Sequence, residues 1–170
     1  MSAAHSPTLD PERIVLGTLM WATPDQARPH LSRLDPGDFT DPRGREALAV
    51  MSDLIDTRVP SLDPATLLTH AQRGGMFRDT NTAHLLTGWV FDAHATAVPL
   101  VVVEFHIAAL IETAYRRALT AHATRLRQIA DMPSLAEMDH HLAAANATLA
   151  RHRARIDTPA LRAFDERSAA

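Results

Sequence analysis

The sequence predicts an all-α fold: a compact bundle of about five to six helices followed by a long antiparallel helical hairpin. Three observations carry that expectation. Asp-Pro or Thr-Pro recurs where an N-cap followed by a first-turn proline belongs, at Asp10-Pro11, Thr23-Pro24, Asp41-Pro42 and Asp63-Pro64. Apolar residues between these starts return every three or four positions, the period of one buried helix face. From Pro99 to Pro133 no further proline or glycine interrupts the chain, so a much longer helix is expected there.

Taken in order, the starts give helices near 11–21, 24–34, 42–57, 64–73 and 82–93. Pro36-Gly37 and Gly74-Gly75 are loop signals between them. In the first helix Ile14, Leu16, Leu19 and Met20 supply a buried face, and in the third Leu48, Met51, Leu54 and Ile55 do so. The β-branched run Val101 to Val103 would be a strand without partners, so a buried helix start is the expected assignment. Met132-Pro133-Ser134 then ends the long helix, and Ser134 caps the next one.

That last helix sets Leu135, Met138, Leu142, Ala145, Leu149, His152 and Ile156 at alternating spacings of three and four, a heptad seam. Tyr115, Leu119, His122, Leu126 and Ile129 alternate the same way before the turn. Folded back on each other, the arms would set Ile129 against Leu135, Leu126 against Met138, His122 against Leu142, Leu119 against Ala145 and Tyr115 against Leu149. Glu112 would then face His152 and raise its pKa. A two-helix hairpin has too little core to stand alone, so it is expected to lean on a second copy or on another protein.

The chain has 170 residues and 46% hydrophobic composition, enough for one core of ordinary size. The expected organisation is a flexible N-terminus over 1–10, a globular helical domain over 11–111, the hairpin over 112–156 and a linker or tail over 157–170. Without cysteine there is no disulfide framework and no thiolate metal site. With no secretory leader and no apolar run near twenty residues, a cytoplasmic location is expected. All 17 basic residues are arginine. Residues 1–115 carry 8 Arg against 14 acids and residues 116–155 carry 7 Arg against 3, an acidic body joined to a basic arm.

The opening helix, E-R-I-V-L-G-T-L-M over Glu12 to Met20, resembles the first helix of the N-terminal domain of bacterial DnaB-type replicative helicases. Asp38-Phe39, Pro42, Arg45 and Asp53-Leu54 resemble the family's next block in register, and Leu62-Asp63-Pro64-Ala65-Thr66-Leu67 the one after it. Ala83-His84-Leu85 falls where the family has Ala-Tyr-Leu, and Glu112 to Leu119 resembles the approach to its hairpin. The resemblance spans about residues 10 to 156 and rests on the order and spacing of the blocks. The sequence departs from the family at Gly44, where His is usual, at Leu48, where Phe is usual, at Thr80-Asn81 in place of Gly-Gly, and over Val98 to Val103.

The resemblance implies a non-catalytic domain in DNA replication. Its expected roles are self-association into a dimer or a multiple of dimers, and docking of primase, a helicase loader or a helicase. The residues expected to serve self-association are Tyr115, Leu119, His122, Leu126, Ile129, Leu135, Met138, Leu142, Leu149 and His152. The family's ATPase domain carries G-x-x-x-x-G-K-[ST], which this chain lacks, along with any lysine to complete it. No enzymatic activity and no cofactor are therefore expected. Glu137 and His140 make a single Glu-x-x-His where di-iron bundles use two, with Glu104 and Glu112 as the only imaginable partners, so no metal site is expected. A rival reading is a small DNA-binding or regulatory protein using Arg116, Arg117, Arg125, Arg127, Arg151, Arg153 and Arg155 on phosphates. The overall acidity and scarcity of aromatics weigh against it.

Overall fold

A computed structural model describes residues 10–77, 79–131 and 134–156. The Met132-Pro133 break, the N-terminal segment and the tail from Asp157 lie outside the described residues. The fold is all-α, with helices α1 (Pro11–Met20), α2 (Pro24–Leu31), α3 (Pro42–Asp56), α4 (Pro64–Arg73), α5 (Thr80–Ala95), α6 (Val103–Ala130) and α7 (Leu135–Ile156). Short 3-10 turns at Pro36–Asp38 and Leu100–Val102 precede α3 and α6, the first of them where the sequence signals only a loop. The described residues divide into two compact units at Ile107/Ala108.

Each proline-marked start is capped as its chemistry requires. Asp10 accepts from Glu12 N, Asp41 from Arg43 N, and Asp63 from both Ala65 N and Thr66 N. Thr23 and Gln26 form a reciprocal capping box at the start of α2. Each cap satisfies one or two of the amide N–H groups that a first turn leaves without helical partners. Helix α2 stops at Leu31, short of the expected 34, after Pro29 removes a helical donor. Its continuation is a turn in which Arg33 N donates to His30 O and Leu34 N to Leu31 O. The Val101 to Val103 run is helical, and only Val103 of the three is buried.

In the first unit α1 packs on α5 and α3, and α3 also meets α2, α4 and α5. Ile14, Val15, Leu16, Leu19, Leu54, Leu67, Leu86, Trp89 and Phe39 are fully or almost fully buried. Such side chains each contribute about 1.5–3 kcal/mol on burial.

The resemblance-bearing blocks turn out to be joints of this unit. The buried carboxylate of Glu12 accepts from Thr40 N and Thr40 Oγ1, both at 2.6 Å, and from Asp41 N at 3.1 Å, tying α1 to the entrance of α3. Asp38, also buried, accepts from Asp35 N at 2.8 Å and closes the turn that delivers Phe39 to the core. Arg45 donates to Phe39 O and Thr40 O, holding the same loop from α3.

Gly44 is buried where a Cβ would stand 2.9 Å from Phe39 Cδ1 and 3.3 Å from Trp89 Cζ2. A larger side chain has no room there, because those two aromatic rings already fill the space. At the start of α6, Glu104 meets two residues of the α2 region, with His30 Nδ1 2.7 Å away and the Arg33 guanidinium on its other oxygen. Burial pushes the Glu104 carboxyl up, but the hydrogen bonds and charges of Arg33 and His30 outweigh it and hold the pKa below its ordinary value.

Candidate functional site

The second unit carries the residues expected to serve self-association. Ser134 O accepts from Met138 N, and Ser134 Oγ from Glu137 N at 3.4 Å, so the serine starts α7 as expected. Threonine hydroxyls along both arms donate to carbonyls one turn back, Thr113 to Ala109, Thr120 to Arg116, Thr124 to Thr120 and Thr148 to Ala144. These hydroxyls are satisfied within their own helices, which suits arms that face solvent.

Between the arms runs a groove of about 610 Å³. Its lining pairs the Ala118–Gln128 stretch of α6 with the His141–His152 stretch of α7, and the Arg153 guanidinium lies 6.0 Å from the centre of the Tyr115 ring. The arms are therefore antiparallel, but the heptad count placed Leu149 at Tyr115, one turn away from Arg153. The groove mixes small apolar and polar side chains, with Ala118, Ala121, Ala144, Ala145 and Leu149 beside His122, His141 and His152.

The expected association residues consequently separate into two groups. His122, Leu149 and His152 line the groove, Tyr115 and Met138 are half-buried, and Ile129 is buried. Leu119, Leu126, Leu135 and Leu142 are instead 47%, 37%, 77% and 38% exposed. The internal pairing scheme is corrected at these four positions, which do not occupy the seam between the arms. A rotation of about 100° per residue puts each leucine roughly a quarter turn from its own helix's groove face. Because the arms are antiparallel, both quarter turns lead to the same side, so the four leucines form one apolar stripe. Glu112 is likewise taken by Arg116, with Nε at 3.0 Å and Nη2 at 2.5 Å, rather than by His152.

Of the groove lining, His122, Ala145, Leu149 and His152 belong to the predicted seam and Arg125 to the candidate arginines, whereas Ala118, Ala121, Thr124, Gln128, His141, Ala144 and Thr148 are not among the predicted site residues. Among the candidate phosphate-binding arginines, Arg116 pairs with Glu112, Arg151 donates to Thr148 Oγ1 at 3.1 Å, and Arg153 covers Tyr115. Arg117 and Arg155 are half-buried, whereas Arg125 and Arg127 are exposed. Glu137 and His140 sit at exposed positions of α7, and among the described residues no group of three or more metal-ligating side chains converges.

Residues 5–99 match the family described as DnaB-like helicase N terminal domain. This chain belongs to that family. The DnaB-like fold extends beyond the matched segment, since the chain is similar to the crystal structure of the N-terminal domain of DnaB helicase from Mycobacterium tuberculosis. The TM-score is 0.67 at 24% sequence identity, over 82% of this chain and 94% of that one. At that identity the likeness speaks for the fold. No curated protein sequence matches the chain significantly. Among the described residues no single helix of this DnaB-like domain is long and apolar enough to cross a membrane.

Proposed function

We propose that this chain is a non-catalytic oligomerisation and docking domain of a DnaB-like replicative helicase or of a stand-alone relative, acting in the cytoplasm during DNA replication. The observation that carries the reading is the exposure of Leu119, Leu126, Leu135 and Leu142. Four leucines on one side of a two-helix hairpin leave apolar surface in water, and burying it against a second hairpin is the favourable outcome. Family membership supports the same reading, because the domain it names is the helicase segment outside the ATPase. Direct DNA binding is the weaker reading, since Arg116, Arg151 and Arg153 are engaged by Glu112, Thr148 and Tyr115.

The docking half is tested by biosensor titration of the purified chain against primase, helicase loader and full-length DnaB-type helicase from the same cell. Saturable binding to at least one of them is expected. Absence of binding to all three would remove docking from the account.

A further inference from the structure

The groove between α6 and α7 is a different surface from the leucine stripe, and its chemistry differs. Its lining holds the Arg125 guanidinium, three imidazoles (His122, His141 and His152) and the Gln128 amide, and it contains no carboxylate. It belongs to a segment, 116–155, with 7 Arg against 3 acids. Its volume of about 610 Å³ lies within the range of roughly 300–1,000 Å³ typical of ligand sites.

We propose that this groove binds an acidic helical segment of a partner protein. The proposal rests on the docking reading above and names the chemistry of the docked element. The alanine walls, Ala118 and Ala121 against Ala144 and Ala145, let a third helix bring its backbone close. Carboxylates on that helix would meet Arg125 and the imidazoles, which lack acidic partners in the lining. A second copy of this hairpin does not fit the same groove, because it would bring the same cations. A single strand of nucleic acid fits less well, since Tyr115 is the one Phe, Trp or Tyr in residues 108–156 and Arg153 already covers it.

The charged groups facing the groove are His122 and Arg125 from α6 and His141 and His152 from α7, with His140 beside His141 at a ring separation of 5.7 Å. Glu137 and Asp139 occupy exposed positions of α7 outside the lining. Protonation of an imidazole adds a positive charge, so acidification should tighten a complex with an acidic helix.

The test is fluorescence anisotropy with the full chain and a labelled alanine-based peptide of about 15 residues, roughly four turns, carrying glutamates at i,i+4 spacing. Saturable binding is expected, tighter at pH 6 than at pH 8. It should weaken by about tenfold in Arg125→Glu and vanish when lysines replace the peptide's glutamates. The double variant His122→Ala/His141→Ala should lose most of the pH dependence, and Ala145→Leu should block the groove sterically.

Absence of saturable binding, or indifference to Arg125→Glu, overturns the proposal. So does a thymidine oligonucleotide that binds more tightly than the peptide and displaces it. Light scattering on the same samples keeps the two readings apart. Arg125→Glu should leave self-association intact, whereas Leu126→Asp/Leu142→Asp should abolish self-association and leave peptide binding unchanged.

Discussion

Gly17 of α1 lies against the backbone of Ala93 in α5, so close that a Cβ on Gly17 would stand 1.9 Å from the Ala93 carbonyl oxygen. The glycine of the V-L-G-T-L-M run is thus where the two helices touch. Thr18, next to it, reinforces the junction by accepting from Val98 N at 3.0 Å. Gly17→Ala should force α1 and α5 apart and destabilise the domain by about 3 kcal/mol, at the upper end of overpacking costs. Because the clash is with backbone, adding Ala93→Gly should not restore stability. Urea unfolding of the single and double variants checks both statements.

Glu12 supplies both carboxylate oxygens to the loop entering α3. Glu12→Ala should cost roughly 2–4 kcal/mol, since it strands two amide N–H groups and a hydroxyl in a part-buried site. Glu12→Gln keeps one carbonyl acceptor and should cost less. Equal losses in the two variants would mean that packing, not hydrogen bonding, accounts for the effect.

Asp63 caps α4 and is held at a pKa of about 2, below the ordinary 3.8, first by the Thr66 hydroxyl against a smaller opposing effect of burial, then by the Thr66, Ser61 and Ala65 donors. A folded pKa below the unfolded one means that the ionised cap stabilises above about pH 4. That contribution fades as the pH falls from about 4 towards 2. Asp63→Ala should lose about 1 kcal/mol at neutral pH. The gap between wild type and variant should narrow through that acid window in pH-dependent urea titrations.

Arg58 ends α3 with a φ of 57°, the left-handed conformation that a glycine would adopt without strain. The accompanying bonds, Val59 N to Leu54 O and Arg58 N to Ile55 O, form a Schellman closure. Arg58→Gly should therefore raise stability by up to about 1 kcal/mol. A lower melting temperature would show that the Arg58 side chain makes a compensating contact.

The body of the fold was legible because its punctuation is local. Asp10-Pro11, Asp41-Pro42 and Asp63-Pro64 carry a cap and a fixed φ within two residues, and no tertiary contact is needed to read them. Other features depend on distant residues. That Gly17 must be glycine follows from Ala93, and that Gly44 must be small follows from Phe39 and Trp89. Neither is visible along the chain.

The hairpin misled for a different reason. Heptad spacing finds an apolar stripe but does not say whether a helix's own neighbour or another molecule covers it. Leu119, Leu126, Leu135 and Leu142 gave the stronger pattern and remain exposed, while the groove between the arms is lined by alanine, histidine and Leu149 among other residues. The candidate site was thus readable as residues and not as an arrangement.

Self-association through the leucine stripe is tested most directly by light scattering coupled to size-exclusion chromatography over a concentration series, with wild type beside Leu126→Asp/Leu142→Asp. The account predicts a dimer or a multiple of it for the wild type. The variant should be a monomer of unchanged helicity, because two carboxylates would have to be desolvated at the interface. A wild-type monomer at every concentration, or a variant that associates like the wild type, would contradict it.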